Sequence, residues 1–161
     1  MSIVRKRLTL LATTTAVAMI AGYEGYREYA YEPVPGDKPT IGYGQTYYAD
    51  KTPVQMGDKI TKEEAFEQLT LLTKRDVVDK LATCVKVPIS QNEYDAYVSL
   101  AYNIGQSAFC GSTLVKKLNQ YDYVGACQQI LRWDKYKGKT LKGLSNRRLK
   151  EYKTCMFGEV A

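Results

Sequence analysis

The chain has 161 residues, a length that suits one domain, and its 45% apolar and 25% charged residues are ordinary for a globular protein. It contains no histidine, which excludes histidine-ligated zinc hydrolysis and catalysis by Ser-His or Cys-His pairs. If the protein is an enzyme, its acid and base are therefore carboxylates, and we expect neither a metal nor another cofactor. The net charge of +6 suits a polyanionic partner, but no nucleic-acid motif accompanies it, so we expect no nucleic-acid partner.

The N-terminus has the pattern of an export segment. Arg5, Lys6 and Arg7 precede sixteen uncharged residues, 8–23, and this basic cluster predicts a cytoplasmic N-terminus. The run is shorter than the roughly 20 apolar residues of a permanent transmembrane helix. Residues 16–18 also form a passable cleavage site for a signal peptide, so an uncleaved anchor and a cleaved signal are both open at this point.

Residues 24–48 are rich in Tyr, Gly, Pro and Thr, a composition that predicts a short β-hairpin. We expect strands at 29–31 and 40–44, joined by a turn at 33–39 that three prolines make stiff and non-helical. Residues 50–59 read as a loop.

The remainder of the chain predicts helices. Thr61 and Glu64 form a capping box that opens an amphipathic helix reaching about Leu81. Further helices are expected over 90–103, 112–118, 124–133 and 145–155. The sum is an α+β fold with a small N-terminal β-hairpin sheet and a mainly helical C-terminal lobe.

The four cysteines show no CxxC spacing and the chain has no histidine, so we expect no zinc site. Beside an export-like N-terminus they suggest two disulfides formed in an oxidising compartment. Three pairings are possible, of which we favour Cys84–Cys110 with Cys127–Cys155. Buried free thiols are the alternative.

Four sequence blocks occur in the order and spacing of a known family. They are Glu24-Gly25 with Tyr31 and Thr40-Ile41-Gly42-Tyr43-Gly44; Tyr102-Asn103-Ile104-Gly105 with Phe109 and Ser112-Thr113-Leu114; Arg132-Trp133; and Gly143-Leu144 with Arg147-Arg148. Over residues 24–155 the chain thus resembles the T-even-type phage lysozymes, glycoside hydrolase family 24. The resemblance implies a lysozyme-like fold and a muramidase that hydrolyses the β-1,4 bond between N-acetylmuramic acid and N-acetylglucosamine in peptidoglycan. Such an enzyme would be a phage endolysin that lyses the host cell.

The resemblance also implies roles for individual residues. Glu24 matches the general acid that protonates the glycosidic oxygen, and Thr40 matches the threonine that helps to hold the attacking water. Arg147 matches the basic residue that forms an ion pair with the catalytic glutamate. Tyr102 and Ser112 fall at positions that line the saccharide cleft.

The chain departs from the family pattern at the second carboxylate. The family usually has Asp, sometimes Cys, nine residues after the glutamate, where this chain has Pro33. The turn is one residue longer than usual and carries two acids, Glu32 and Asp37. We choose Asp37, because it lies on the Thr40 side of the turn, where the hairpin can direct it into the cleft. Gln45 stands where the family often has histidine, so no role of that histidine is carried over.

The position of Glu24 also bears on the N-terminus. A catalytic carboxylate needs a rigid element, and the apolar run is the only sequence that can form a helix leading into Glu24. Because cleavage after Ala18 would remove that helix, we favour an uncleaved segment, as in the signal-anchor-release type of endolysin.

We therefore divide the chain into a signal anchor, 1–23, which can refold as the first helix, and a catalytic domain, 24–161. Residues 8–23 would hold the protein in the host inner membrane with its catalytic domain in the periplasm. Release would then yield a soluble periplasmic monomer that acts on peptidoglycan glycan strands. A lytic transglycosylase and a non-catalytic, membrane-anchored peptidoglycan-binding module are the alternative functions.

Overall fold

The first helix forms from the apolar N-terminal run, in a computed structural model that describes residues 2–158. Helix α1 spans Thr14–Glu24 and buries Ala16, Val17 and Ile20, so the predicted helix leading into Glu24 is present. It covers only the second part of the run, because Leu8–Leu10 form a separate 3₁₀ turn. Across the part of the chain that the structure describes, no helix combines the length and apolar character needed to cross a bilayer.

The residues before α1 form an N-terminal arm, residues 2–13, that lies along the start of a later helix, α4 (Gln91–Ile104). The backbones of Lys6 and Ile89 exchange two hydrogen bonds of 2.8 Å. The side chain of Gln91 accepts from the Ala12 amide at 3.1 Å and donates to the Ala12 carbonyl at 2.7 Å. These contacts satisfy backbone groups on both sides, and they set the direction in which the chain enters α1.

The predicted β-hairpin is present. Strand β1, Arg27–Tyr31, pairs antiparallel with β2, Thr40–Gly42, and the partners at the ends of the ladder are Arg27 with Gly42 and Tyr31 with Thr40. Strand β2 ends earlier than expected, because the chain turns sharply at Gly42 (φ 63°). The end of the predicted loop at 50–59 and the residue after it hydrogen-bond to the backbone of β1, through Ala30 N to Asp58 O and Ile60 N to Glu28 O.

Helices make up most of the remaining chain, as predicted, with shifted boundaries and one short helix, over 106–110, that was not predicted. They are α2 Lys62–Thr73, α3 Asp79–Cys84, α4, α5 Gln106–Cys110, α6 Thr113–Asn119, α7 Tyr123–Gln129 and α8 Lys142–Phe157. The helix predicted over 61–81 is broken by a π-helical turn, Lys74–Val78, and the one predicted over 124–133 ends in a 3₁₀ turn, Ile130–Arg132. A short hairpin was not predicted. It consists of two strands of two residues each, β3 Lys135–Tyr136 and β4 Lys139–Thr140, which pair antiparallel.

The capping boxes explain where two helices begin. At α2, the Thr61 hydroxyl accepts from the Glu64 amide at 3.1 Å, and the Glu64 carboxylate accepts from the Thr61 amide at 2.8 Å. Ser90 and Glu93 form the same arrangement at α4. Each pair satisfies two amide groups that the first turn of a helix leaves without a partner.

Helix α4 is the centre of the core and packs against both α1 and α8. Its residues Tyr94 and 96–98 are fully buried, as are Leu100 and Ala101. Burying each large apolar side chain contributes about 1.5–3 kcal/mol. The fold is therefore the predicted α+β type, in which the N-terminal helix joins the helical lobe and leads directly into the small sheet.

Two disulfides tie the helical lobe together with the predicted pairing. Cys84–Cys110 joins the end of α3 to the end of α5, and Cys127–Cys155 joins α7 to α8. All four cysteines are therefore bonded, and the alternative of buried free thiols is wrong.

Candidate active site

Glu24 is the last residue of α1, and its side chain is 29% exposed. Gly25 follows with φ 71°, a conformation that suits glycine and ends the helix at once. The chain returns to the carboxylate after β2, where a Cβ added to Gly44 would lie 3.7 Å from Glu24 Oε2. The helix end and the turn after the hairpin thus meet at this carboxyl group.

Arg147 approaches the same carboxylate from α8. Its Nη1 donates to Glu24 Oε1 at 3.4 Å, and its side chain is only 10% exposed. The guanidinium also lies over the ring of Tyr23, with Cζ 4.3 Å from the ring centroid. The positive charge is therefore held next to Glu24 in a largely water-excluded position, where a charge pair interacts more strongly than at the surface.

Helix α8 is oriented by a buried pair one residue further along. Arg148 forms an ion pair with Glu151 at 2.6 Å, and both side chains are almost fully buried. Arg148 Nη1 also donates to Asn103 Oδ1 at 2.9 Å. Since Asn103 lies on α4, this contact anchors α8 to the core helix and directs Arg147 towards Glu24.

A cleft of about 200 Å³ lies close to this carboxylate. It is lined by Gly44, Gln45, Thr46, Tyr47, Leu72, Arg75, Asp76, Val77 and Tyr102. Tyr102 lines the cleft and also lies within electrostatic range of the Glu24–Arg147 ion pair. Burial is the main reason that the pKa of Tyr102 is raised to about 12. The negative charge of Glu24 raises this pKa further, whereas the positive charge of Arg147 lowers it. The Tyr102 hydroxyl therefore keeps its proton at neutral pH and can donate a hydrogen bond.

Sequence reasoning missed part of this cleft. Arg75 donates to Asp76 Oδ1 and Oδ2 at 2.8 and 3.0 Å, and also to the Ala49 carbonyl at 2.9 Å. Both residues belong to the π-helical turn, a feature that is frequent at functional sites but has no signature in the residue pattern.

Thr40 and the two candidate acids lie on the hairpin. Thr40 is buried at the start of β2, and its hydroxyl donates to the Lys38 carbonyl at 3.2 Å. Asp37 is exposed, and its backbone amide donates to the Val34 carbonyl at 2.9 Å. The Glu32 carboxylate accepts from the Gly36 amide at 3.1 Å, so it has a structural role within the turn.

Ser112 lies in a different depression from Tyr102. Its hydroxyl donates to the Phe109 carbonyl at 2.5 Å and accepts from the Val115 amide at 3.3 Å, which caps α6. With Gln129, Arg132 and Trp133 among others, it lines a pocket of about 330 Å³. The structure thus brings together Glu24, Arg147 and Tyr102, while Ser112 lines a second pocket.

The chain is similar to phage lysozymes and endolysins. The model of the family described as phage lysozyme matches residues 21–151. The endolysin of Acyrthosiphon pisum secondary endosymbiont phage 1 is 43% identical over 139 residues, which cover 84% of this chain and 90% of that relative. The SAR-endolysin of bacteriophage PS119 is 36% identical over 140 residues, covering 86% of this chain and 79% of that relative.

Other relatives differ in length: the chain spans 53% and 51% of the endolysins of Bacillus phages B103 and PZA. Among solved structures, the endolysin from Escherichia coli O157:H7 phage FAHEc1 superposes with a TM-score of 0.80 at 38% identity, and the match covers 91% of this chain and 94% of that one. The chain therefore belongs to the phage lysozyme family, and it is a peptidoglycan-hydrolysing endolysin of the glycoside hydrolase class.

Proposed function

We propose that the protein is a muramidase of the T-even type, glycoside hydrolase family 24, in which Glu24 is the general acid. The observation that carries this proposal is the position of Glu24 at a rigid helix end, beside an open cleft and in contact with Arg147. The substrate is the β-1,4 bond between N-acetylmuramic acid and N-acetylglucosamine in the glycan strand. The enzyme acts on this strand as a monomer and without a cofactor.

In the proposed reaction, the Glu24 carboxyl donates its proton to the glycosidic oxygen as the bond from that oxygen to the anomeric carbon breaks. Water attacks the anomeric carbon from the opposite face and loses a proton to the second carboxylate, so the configuration inverts. Both new sugar ends carry a hydroxyl group, and the atoms of one water molecule are consumed.

Asp37 and Thr40 serve the attacking water in this proposal. Because the Thr40 hydroxyl donates its hydrogen to the Lys38 carbonyl, it presents a lone pair as an acceptor for the water. Glu32 is bonded to the Gly36 amide within the turn, which supports Asp37 as the acid that receives the proton. Inversion needs a gap of roughly 6.5–9.5 Å between the two carboxyl groups, to leave room for water.

Tyr102 and Ser112 complete the proposed saccharide contacts. Tyr102 lines the cleft next to Glu24, and its protonated hydroxyl can donate to a sugar oxygen. Ser112 lines the pocket that contains Trp133, whose aromatic face suits stacking against a sugar ring.

We also propose that residues 1–23 act first as an uncleaved signal anchor in the host inner membrane, with the catalytic domain in the periplasm. The similarity to a SAR-endolysin supports this, and so does the burial of Ala16, Val17 and Ile20 in α1. While residues 8–23 lie in the bilayer, α1 is not packed against α4, and Glu24 has no rigid support. Release into the periplasm then completes the site.

The general acid is tested with Glu24→Gln, because glutamine keeps the shape of the side chain but has no acidic proton to transfer to the glycosidic oxygen. We expect the variant to bind cell walls and to lose turbidity-clearing activity by at least about 100-fold. Glu28→Gln is the matched control, since Glu28 is an exposed residue of β1 paired with Lys59 at 3.4 Å. If the Glu24→Gln variant clears cell-wall suspensions at the normal rate, Glu24 is not the general acid.

Product analysis and N-terminal sequencing test the other parts of the proposal. Hydrolysis creates a free reducing end, whereas a lytic transglycosylase releases an anhydro sugar, so reducing-end analysis separates the two reactions. N-terminal sequencing of the mature protein reports on the anchor, and a chain that starts at Met19 excludes the anchor scheme.

A further inference from the structure

We infer that Tyr23 is a positioning residue for the general acid, which it serves by holding the Arg147 guanidinium against its ring. The inference rests on the proposed role of Glu24. Tyr23 and Glu24 are consecutive residues at the end of α1, while Arg147 arrives from α8 and touches both. One side chain of α8 is thus held between two neighbouring side chains of α1.

The contacts of Arg147 show why the ring matters. The guanidinium has five N–H donors, and Nη1 bonds to Glu24 at a long 3.4 Å. Nε and Nη2 are buried and have no hydrogen-bond partner among residues 2–158. A guanidinium with so few hydrogen bonds is not oriented by them. The Tyr23 ring lies close to this guanidinium, with Cζ 4.3 Å from the ring centroid, and we infer that this contact holds the guanidinium in place.

Tyr23 acts through its ring face and not through its hydroxyl. Burial raises the pKa of Tyr23 to about 12, with the charge of Glu151 adding and Arg147 opposing, so the phenol is neutral at neutral pH. The ring presents its electron-rich face to two cations, since the Lys150 ammonium lies 5.9 Å from the same centroid. Phenylalanine offers the same face, whereas leucine fills similar space without it.

Placement of the charge next to Glu24 affects turnover more than binding. The Glu24 carboxyl has to point at the glycosidic oxygen when the proton moves, and a small misplacement of such a group is costly. The Tyr23 ring is half-buried beside Arg147 and Lys150 of α8, and it does not line the cleft that contains Tyr102. Loss of the stack is therefore expected to lower kcat while KM stays nearly constant.

The experiment is a double-mutant cycle on the full-length released protein, with kcat and KM measured on peptidoglycan fragments. The variants are Tyr23→Leu, Arg147→Gln and the combination of both. We expect Tyr23→Leu to lower kcat by about tenfold with KM within about twofold, and to cause no further loss when Arg147 is already glutamine. Tyr23→Phe should keep wild-type kcat. Tyr136→Leu is the matched control, because Tyr136 is exposed on the small C-terminal hairpin and has Lys137 Nζ 5.4 Å from its ring centroid.

Three results would overturn the inference: additive effects of the two substitutions, a change in KM without a change in kcat, or a Tyr23→Phe variant as impaired as Tyr23→Leu. If Tyr23→Leu does not fold, Arg147→Lys takes its place, because lysine keeps the charge but lacks the planar group that stacks. That variant should show the same fall in kcat, and unchanged kcat contradicts the role of the stack. The Glu24→Gln experiment tests the general acid independently of this cycle. If the Glu24 variant is inactive but the effects of the Tyr23 and Arg147 substitutions are additive, Glu24 remains the general acid and only the positioning role of Tyr23 is wrong.

Discussion

Arg5 and Glu93 are 88 residues apart in the sequence, yet the Arg5 guanidinium donates to both carboxylate oxygens of Glu93, at 3.0 and 3.1 Å. The same guanidinium lies over the Tyr123 ring, 3.5 Å from its centroid. The Glu93 side chain is 4% exposed and belongs to the capping box that begins α4. A basic residue that precedes the apolar run thereby fastens the N-terminal arm to the core helix.

The first prediction concerns this pair. Glu93→Gln should lower the free energy of unfolding by about 2 kcal/mol, because it leaves Arg5 without a counter-charge while glutamine still serves the capping box. Arg5→Gln should cost a similar amount, since it leaves the buried Glu93 carboxylate without its counter-charge. Urea unfolding measures both. Arg7→Gln is the control, because Arg7 is exposed, and it should leave the midpoint unchanged. Additive losses in the Arg5/Glu93 double variant would show that the two side chains are not coupled.

The second prediction concerns pH. Asp95 is buried, and burial raises its pKa to about 6 although the Gln91 amide donates to its carboxylate. The folded protein disfavours the charged form of Asp95. The stability that the neutral carboxyl contributes is therefore fully present below the ordinary pKa of 3.8, and it is lost as the pH rises through the folded-state pKa of about 6. Between pH 4 and 7 the wild type should lose about 2 kcal/mol relative to Asp95→Asn.

Asp50→Asn provides a control of opposite sign. Hydrogen bonds from the Thr52 hydroxyl and amide lower the pKa of Asp50, so its contribution to stability is present at higher pH and is lost as the pH falls. Unfolding should be followed at several pH values for all three proteins. A wild type and Asp95→Asn variant with parallel curves would contradict the assignment.

The third prediction concerns the disulfides, which close segments with sequence separations of 26 and 28. Replacing either pair by alanine should lower the free energy of unfolding by about 3–4 kcal/mol, because the unfolded chain gains conformational freedom. Loss of Cys127–Cys155 should cost more, since both of its residues are buried in the core and leave a cavity. Thermal unfolding with and without reductant measures the effect. If reduction does not change the melting temperature of the wild type, the prediction is wrong.

The fourth prediction separates the two acids of the hairpin turn. Asp37→Asn should lower kcat by at least about 100-fold, because asparagine cannot take the proton of the attacking water. Glu32→Gln should leave kcat within about twofold, since a glutamine oxygen can still accept from the Gly36 amide. The two substitutions remove the same charge from the same turn, so each is the control for the other. The reverse order of activities would assign the second carboxylate to Glu32.

Parts of the fold were readable in the sequence because local interactions determine them. The capping box at Thr61, the apolar spacing of the helices and the proline-rich turn at 33–39 all act within a few residues. The π-helical turn at Lys74–Val78 and the pairing of residues 58–60 with β1 were missed. The pairing with β1 depends on residues that are distant in the sequence, and the π-helical turn has no signature in the residue pattern.

For the site, the absence of histidine indicated a carboxyl-based chemistry, and the resemblance to the phage lysozymes implied the roles of Glu24, Thr40 and Arg147. The cysteine pairing that we favoured from the sequence is the one in the structure. Only the tertiary structure decided how Arg147 is held, because its partners come from the end of α1, more than a hundred residues earlier in the chain. The same holds for Arg5 with Glu93. A sequence pattern reports what lies on one face of one element, whereas charge pairs and ring stacks depend on how separate elements pack, and packing is a property of the whole chain.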